Sequence, residues 1–481
     1  MSFRTSCSVL SSAFGLVRDS LLQAEGLPFS DALTAQHITQ AFESEGISFA
    51  REDGFGNEPV YTPEVTLWAM LSQALFTGEQ RSCRAAVIRV ALYYALLDRQ
   101  VSSTNTGAYC RARDQVTAGV VQQLVEGVAE RCEAAAPEAW RWLGRIVHLV
   151  DGTTLSMPDT PENQAEYPQP STQAKGVGFP LLRALALVSL TTGLVRGLAV
   201  GPYAGKETGE TALLRTLFQH LTAGEVILAD RYHCGWFMLA LFRSLGLDFV
   251  VRLHQLRTAD FHRGRHLSNG DHIVTWAKPK RPDWLDQDTY DSLPAELEIR
   301  EVQVRVAIPG FRTESLVVVT SLLDPHEVAA EDVADLYRQR WHVELHLRDI
   351  KSMLQLDVLR RKTPERVRQE LWTGLLAYNL VRQSILQSAT EKRCLPRTLS
   401  FTATLQMLAS QWVIATALAL SSQTRTRLIS LRLANGGSHP VGNRPDRVEP
   451  RAIKRRPSQH TLLTVPRQQA RQALLAGTTA K

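Results

Sequence analysis

The sequence predicts an α/β protein: a mixed sheet with flanking helices, a helical domain ahead of it and a β-rich insertion within it. Three observations carry this. Residues 1–140 hold segments with helical apolar spacing, such as TLWAMLSQALF and CRAAVIRVALYYALLD. After residue 144 the pattern changes to short apolar runs, several of them ending in an acid, separated by amphipathic stretches. Helical periodicity returns at about residue 331 and continues to about 434.

In chain order, the N-terminal helices are separated by polar breaks, TGEQRS and then RQVSSTNTGAYCRARDQ, before VTAGVVQQLVEGVAERCEAA. Ser/Thr-rich starts suit helix N-caps. Short helices with small turns fit a helix-turn-helix-like DNA-binding unit or a plain bundle, and pattern alone favours the bundle. IVHLVD then reads as a strand, and LLRALALVSL and GLVRGLAVG as a strand pair with a tight turn. ETALLRTLFQHL is an amphipathic helix, VILAD a buried strand, GWFMLALFRSLG a helix closed by Gly246, and DFVVRLH a further strand. That order indicates a mixed sheet covered by helices. Residues 254–321 form a β-rich insertion, with IREVQVRVAI and SLVVVTSLL as its clearest strands. The boundaries expected are therefore 1–140 for the helical N-terminal domain and 141–253 with 322–390 for the α/β core. The insertion at 254–321, a helical region at 391–434 and a tail at 435–481 complete the chain.

Composition narrows the function. Of 481 residues 44% are hydrophobic and 21% charged, which excludes disorder throughout, collagen and coiled coil. The net charge of +6 is uneven. Residues 436–481 hold nine Lys/Arg against two Asp/Glu, so the rest of the chain is nearly neutral. A neutral body with a basic tail suggests a polyanionic partner. The six cysteines include no CxxC pair, which argues against a cysteine zinc site or a disulfide framework and for a reduced, cytoplasmic compartment. No run of about 18 apolar residues predicts a membrane span, and the N-terminus does not read as a signal peptide.

The chemistry concentrates in three acids. Asp151 follows IVHLV and Asp230 follows VILA. A carboxylate just past a buried strand lies at the sheet's carboxyl edge, where open sheets place ligands. Two such acids on neighbouring strands would repel each other without a cation, and Mg²⁺ prefers such oxygen donors. For either Asp alone, a helix N-cap is the commoner explanation. The third acid lies in DLYRQRWHVELHLRDIKSML. On a helix, Tyr337, Arg340, Glu344 and Lys351 fall within about 60° of one another, with Arg348 near that face. A solvated face with i,i+4 ion pairs explains those charges but not the two upstream acids. In the insertion, Arg252–Arg281 carries seven Lys/Arg interleaved with histidines and aromatics, a composition suited to nucleic acid. His262 and His266 are expected on the surface.

The spacing Tyr337-x2-Arg340-x3-Glu344-x6-Lys351 is similar to the Y-R-E-K signature of bacterial DDE transposases of the insertion-sequence-four type. DGTT at Asp151 and the Asp230-Arg231-Tyr232 turn resemble that family's other two motifs, and the long insertion and the tail RPDRVEPRAIKRRPS resemble its later features. The resemblance covers about residues 60–460. It implies a ribonuclease H-like core in which Asp151, Asp230 and Glu344 are catalytic and bind two Mg²⁺ ions, with Mn²⁺ as a possible substitute. It implies that Tyr337, Arg340 and Lys351 support the site and touch transposon-end DNA, with Arg348 beside them. Lys454, Arg455 and Arg456 in the basic tail are expected to face phosphates. Residues 1–140 are expected to bind the DNA ends. The expected partners are double-stranded DNA, as inverted-repeat ends and target, and a second copy of the chain in a homodimeric DNA complex, with no membrane and with a cytoplasmic, nucleoid-associated location. The expected function is cleavage of the ends of an insertion sequence by metal-dependent phosphodiester hydrolysis and joining of the 3′ ends to target DNA. Some relatives carry a Trp on the last strand of the insertion that stacks on a flipped base during hairpin formation. Here that strand, SLVVVTSLL, has no aromatic, and Trp276 and Trp284 lie elsewhere in the insertion, where packing explains them. Two other functions would use the same core: a non-catalytic DNA-binding derivative, which predicts a damaged acid set, and a structure-selective nuclease, which needs neither the YREK face nor the insertion.

Overall fold

The protein's structure, a computed structural model, describes residues 33–47, 60–96, 103–305, 315–417, 430–431, 436–438, 440 and 464–476. The chain divides into two compact units. One comprises Met1–Ala136, Thr192–Arg196 and Arg348–Val441, and the other Pro137–Thr191, Gly197–Leu347 and Gly442–Lys481. Residues 348–390 thus group with the N-terminal helices, where the sequence pattern places them in the α/β core.

The first unit is helical. Its early helices are α1 (Ala35–Ser44), α2 (Pro63–Leu75), α3 (Cys83–Leu96), α4 (Thr106–Gln115) and α5 (Ala118–Ala135). Thr34, Thr62, Asn105 and Thr117 cap four of them, each side-chain oxygen accepting a backbone N–H of the first turn. The α4 helix corrects the sequence expectation of a polar break there. Its polar composition hides one buried face, Tyr109, Ala112 and Arg113. Arg113 tolerates burial because Cys83 Sγ accepts a hydrogen bond from its Nη1 at 3.2 Å. Later in the chain, α12 (Pro364–Lys392) packs against α2, α5 and α13 (Phe401–Ala417). Asn379, fully buried on α12, accepts from Val195 N and donates to the carbonyls of Val195 and Val125. That clamp is why the short segment 192–196 belongs to the helical unit. Within the same unit, Arg382 on α12 donates to Asp349 at 3.0 Å and to Tyr378 Oη at 2.9 Å, so this buried pair of charges is matched.

The second unit is built on one sheet of nine strands, ordered β3-β2-β1-β4-β5-β9-β8-β7-β6. The first five are β1 (Val147–Ser156), β2 (Leu181–Ser189), β3 (Val195–Pro202), β4 (Val226–Ala229) and β5 (Asp248–Arg252). β2 runs antiparallel to β1, while β4 and β5 run parallel to it. This order and these directions are the ribonuclease H-like arrangement. Its helices are α6 (Pro161–Glu166), α7 (Glu210–Thr216) and α8 (Trp236–Ser244). The parallel strands are continuous apolar runs because both faces are covered. Ile227, Phe249 and Val251 pack with Leu239 and Phe242 of α8 in one core cluster. Replacing a fully buried Phe249 by Ala would cost about 3–5 kcal/mol. The α8 helix ends at Gly246, whose φ of +70° is the left-handed conformation a Cβ disfavours.

The insertion is not a separate small domain. Its strands β6 (Arg265–Ser268), β7 (Asp271–Ala277), β8 (Glu296–Arg305) and β9 (Ser315–Thr320) continue the same sheet, β9 pairing antiparallel with β5. Between them, α9 (Gln287–Ser292) and the Pro-rich loop cover one face. Trp276 is buried, its carbonyl accepting from Trp236 Nε1, and the Arg257 guanidinium lies 3.8 Å from its ring centroid. Trp284 sits under Arg215 at 4.0 Å and edge-on to Phe237, so both tryptophans pack as expected. His272, on β7, is fully buried between Arg263 O and Glu301. Arg300, fully buried on β8, forks onto Asp271 at 2.8 and 2.7 Å and donates to the carbonyls of Leu322 and Val328. These last two residues begin the connection to α10 (Ala330–Gln339), which packs on β5, β8 and β9.

The end of the chain departs from an extended tail. Arg467–Leu475 forms a helix, α14. Arg467 pairs with Asp159 at 2.7 Å, lies over the Phe179 ring, and donates its backbone N–H to Gly176 O. Lys454, Arg455 and Arg456 lie outside the described residues.

Candidate active site

Asp151 is the fifth residue of ten-residue β1, not its last. What ends nearby is the pairing between β1 and β4, with Leu149 opposite Leu228. Two residues further on lie Asp151 and Asp230. Residues in register on adjacent parallel strands point to the same face, so the two carboxylates leave the sheet side by side. Asp230 follows β4 directly and N-caps the short turn Arg231–His233, accepting from Tyr232 N at 2.8 Å. Asp151 accepts from Gly152 N at 2.9 Å.

The electrostatics show how close these groups stand. Burial pushes the Asp151 carboxyl up to about 6, with Glu210 and Asp230 pushing the same way and Gly152 N–H and Arg340 opposing. Glu210, the first residue of α7, is also raised, by burial and then by Asp230. It lies against Gly152, where an added Cβ would clash with its carboxylate. Glu210 is a residue the sequence reading misses. It opens an amphipathic helix and reads as an N-terminal acid favoured by the helix dipole, and only the fold brings it to Asp151. Beside it, His233 is buried and pushed down to about 4, so it is neutral at pH 7.

Glu344 arrives from the other side. The segment expected as one helix is two, α10 and α11 (Trp341–Arg348), joined at Arg340 and followed by a π-turn, Asp349–Met353. Arg340 keeps right-handed helical angles, φ −51° and ψ −33°, so Glu344 stays one turn from it. Its Nη2 donates to Glu344 Oε1 at 2.9 Å. Arg340 thus couples the two halves of the site, bonded to Glu344 and attracting Asp151. Tyr337 is buried, which raises its hydroxyl, and it interacts with Arg340. Tyr337 is 8% exposed, and Arg340 beside it is mostly covered as well. Arg348 and Lys351 fall in the helical unit. Arg348 is exposed and pairs with Asp349 at 3.2 Å, and Lys351 is half-exposed on the π-turn.

The donor set suits a hard divalent cation: all oxygen, acidic, and carrying a like-charge penalty at Asp151 that a cation would relieve. Among the described residues, however, no three His, Cys, Asp or Glu side chains stand close enough to hold one ion. Asp151 and Asp230 are adjacent, while Glu344 is engaged by Arg340. Among the described residues no helix is long and apolar enough to cross a membrane.

The chain is similar to known proteins. Residues 142–380 match the family described as Transposase DDE domain. The chain is 27% identical over 358 residues to Transposase InsG for insertion sequence element IS4 of Escherichia coli (strain K12), covering 73% of this chain and 76% of that protein. It is 42% identical over 72 residues to the Putative transposase InsL for insertion sequence element IS186A of the same organism, covering 15% of this chain and 20% of that protein. Among solved structures, a piggyBac transposase synaptic complex with hairpin DNA aligns at 10% identity with a TM-score of 0.41, covering 87% of this chain and 84% of that one. The matched domain spans β1 with Asp151, the end of β4 with Asp230 and the glutamate-bearing helix, and the chain is a DNA transposase of the DDE type.

Proposed function

We propose that Asp151, Asp230 and Glu344 are the catalytic carboxylates with which this transposase cleaves the inverted-repeat ends of its element and joins the 3′ ends to target DNA. The observation that carries the reading is the register of β1 and β4. It puts Asp151 and Asp230 each two residues past the last paired position, Leu149 with Leu228, and the Asp151 carboxyl is raised by burial and by the neighbouring acids Glu210 and Asp230. A divalent metal is the cofactor the DDE domain implies, and Mg²⁺ at two positions is the proposal for this chain. When bound among these acids it would polarise the attacking oxygen and stabilise the leaving oxygen of the phosphodiester.

The chain's own residues do the rest. Arg340 holds Glu344 by a hydrogen bond in the first turns of α11, and Tyr337 supports Arg340. A DNA phosphate entering the site would compete for the Arg340 fork and release Glu344 toward the aspartates, so substrate entry completes the acid set. Glu210 is a fourth carboxylate at this pocket. It shields Asp151 from the loop side and adds negative charge. Arg348 and Lys351 are proposed as contacts to end DNA, and Lys454, Arg455 and Arg456 as phosphate contacts in the tail. The active complex is proposed to be a homodimer on two ends.

The test is end cleavage by Asp151→Ala, Asp230→Ala and Glu344→Ala in Mg²⁺, with end binding measured in parallel. All three should bind ends and fail to nick them. A Glu344→Ala protein that nicks at near wild-type rate would remove Glu344 from the catalytic set.

A further inference from the structure

The helical unit holds a second chemical site, unrelated to phosphodiester chemistry. A cavity of about 170 Å³ opens between α2, α3, α4 and the start of α12, its wall including Arg81, Arg113, Arg360, Arg361 and Cys83. Cys83 is the first residue of α3, where Ser82 caps the helix by accepting from Ala85 N. Its sulfur therefore sits at the positive end of a helix. It also accepts from Arg113 Nη1 at 3.2 Å, Gln73 Nε2 at 3.8 Å and Arg361 Nη1 at 3.9 Å. Burial opposes ionisation of this thiol, but Arg113 and Arg361 outweigh it and the net shift is downward. Cys110 is on α4, which packs against α3, and its thiol is influenced by the Cys83 sulfur. Burial and then the neighbouring sulfur push its own thiol up, the opposite direction to Cys83. Both are partly exposed.

We propose that Cys83 and Cys110 form a peroxide-sensitive dithiol, with Cys83 as the attacking thiolate and Cys110 as the resolving thiol. The Cys83 sulfur attacks one oxygen of a hydroperoxide, the O–O bond breaks, and hydroxide or alkoxide leaves with the electron pair. Cys83 is oxidised to the sulfenic acid. The Cys110 sulfur then attacks the sulfenic sulfur, an S–S bond forms, and water departs with the Cys110 proton and the sulfenic OH. The peroxide is the oxidant for both electrons, and a dithiol reductant restores the pair. Two features separate this site from an ordinary half-buried cysteine. The cavity gives a small peroxide a route to the sulfur, and the arginine donors favour its thiolate form. Oxidation removes the negative charge from among these arginines, so the disulfide form loses the acceptor that lets Arg113 stay buried. The inference does not rest on the catalytic reading.

The experiment uses the full chain. Alkylation by iodoacetamide at pH 6.5, read by peptide mass spectrometry, should modify Cys83 about tenfold or more faster than Cys394, a half-buried thiol without arginine donors to its sulfur among the described residues. Hydrogen peroxide should then lower the intact mass by about 2 Da and link the Cys83 and Cys110 peptides, reversibly by dithiothreitol. In Cys110→Ser the same treatment should leave a dimedone-reactive sulfenic acid on Cys83. In Cys83→Ser no adduct or link should form at Cys110. Arg361→Met, which removes one donor at the cavity mouth, should slow Cys83 alkylation while circular dichroism stays unchanged. Equal alkylation of Cys83 and Cys394 overturns the proposal. So does direct passage of Cys83 to the sulfinic acid in the wild type without a Cys83–Cys110 link.

Discussion

Asp151→Asn should make the metal-free protein more stable while destroying its activity. The Asp151 carboxyl is raised from 3.8 to about 6 in the folded protein, chiefly by burial. An acid that holds its proton more tightly when folded costs nothing below the lower value, where both states are protonated. The cost grows as pH rises between the two values and is complete above the upper one. At about 1.4 kcal/mol per tenfold change in proton affinity, the charged carboxylate costs about 3 kcal/mol at pH 7.5. Asparagine keeps the oxygen that accepts from Gly152 N and removes the charge. For a unit of this size, each kcal/mol moves the melting temperature by about 2–4 °C, so the variant should melt roughly 6–12 °C higher in chelator at pH 7.5. The difference should shrink toward zero near pH 4. Mn²⁺ should raise the wild-type melting temperature and do less for the variant, because a ligand bound only by the folded state stabilises it. Calorimetry at the two pH values, with chelator and then with Mn²⁺, reads all of this. A variant no more stable than wild type in chelator at pH 7.5, or a gap that persists unchanged at pH 4, would falsify the claim that Asp151 is held in an uncompensated acidic pocket.

Three further outcomes are expected. Asp271→Ala, which strands the buried Arg300 guanidinium, should cost about 3–5 kcal/mol in chemical denaturation, more than Asp271→Ala with Arg300→Met together, and equal losses would mean the pair is not coupled. Glu210→Gln should lower the Asp151 value and weaken Mn²⁺ binding by calorimetric titration without abolishing end binding. Unchanged metal affinity would place Glu210 outside the pocket's ion field. Truncation after Ala434 should reduce affinity for end DNA and random DNA by similar factors, with the loss shrinking as salt rises. Unchanged binding at low salt would remove the tail as a DNA contact.

Much of the sheet was legible because its strands are written in continuous apolar runs. LLRALALVSL, VILAD and DFVVRLH became β2, β4 and β5, and the gap between the first two held one amphipathic helix. Asp151 and Asp230 could be singled out from their places after such runs. Three things were not legible. The α4 helix was hidden because its buried face includes an arginine, which composition counts as surface, and the Cys83 sulfur that accepts from it lies on another helix. Glu210 was hidden because its partner, Gly152, lies 58 residues away in sequence and the two meet only through the sheet. The continuity of the insertion with the main sheet was hidden because an edge pairing between β5 and β9 leaves no local mark. Arg340 shows the reverse case. Its spacing to Glu344 pointed to an ion pair, and the ion pair is there, but the helix break beside it carries no proline or glycine to announce it.

The Arg300 fork gives the insertion a mechanical part. It fastens β8 to β7 through Asp271 and, with its remaining N–H groups, takes hold of the carbonyls of Leu322 and Val328 just before α10 begins. The strand carrying Asp151 and the strand leading to Asp230 are braced by their own neighbours, whereas the helix pair carrying Glu344 is tied to the outer strands by this bolt as well as by the packing of α10 on β5, β8 and β9. Lesions in the outer strands should therefore be sorted by which acid they disarm. Damage near β7 or β8 should loosen the glutamate and leave the aspartate pair standing, giving a protein that still gathers cations at two acids yet lacks the third. The outer strands would then be tuned less by what they touch than by the tension they keep on one helix.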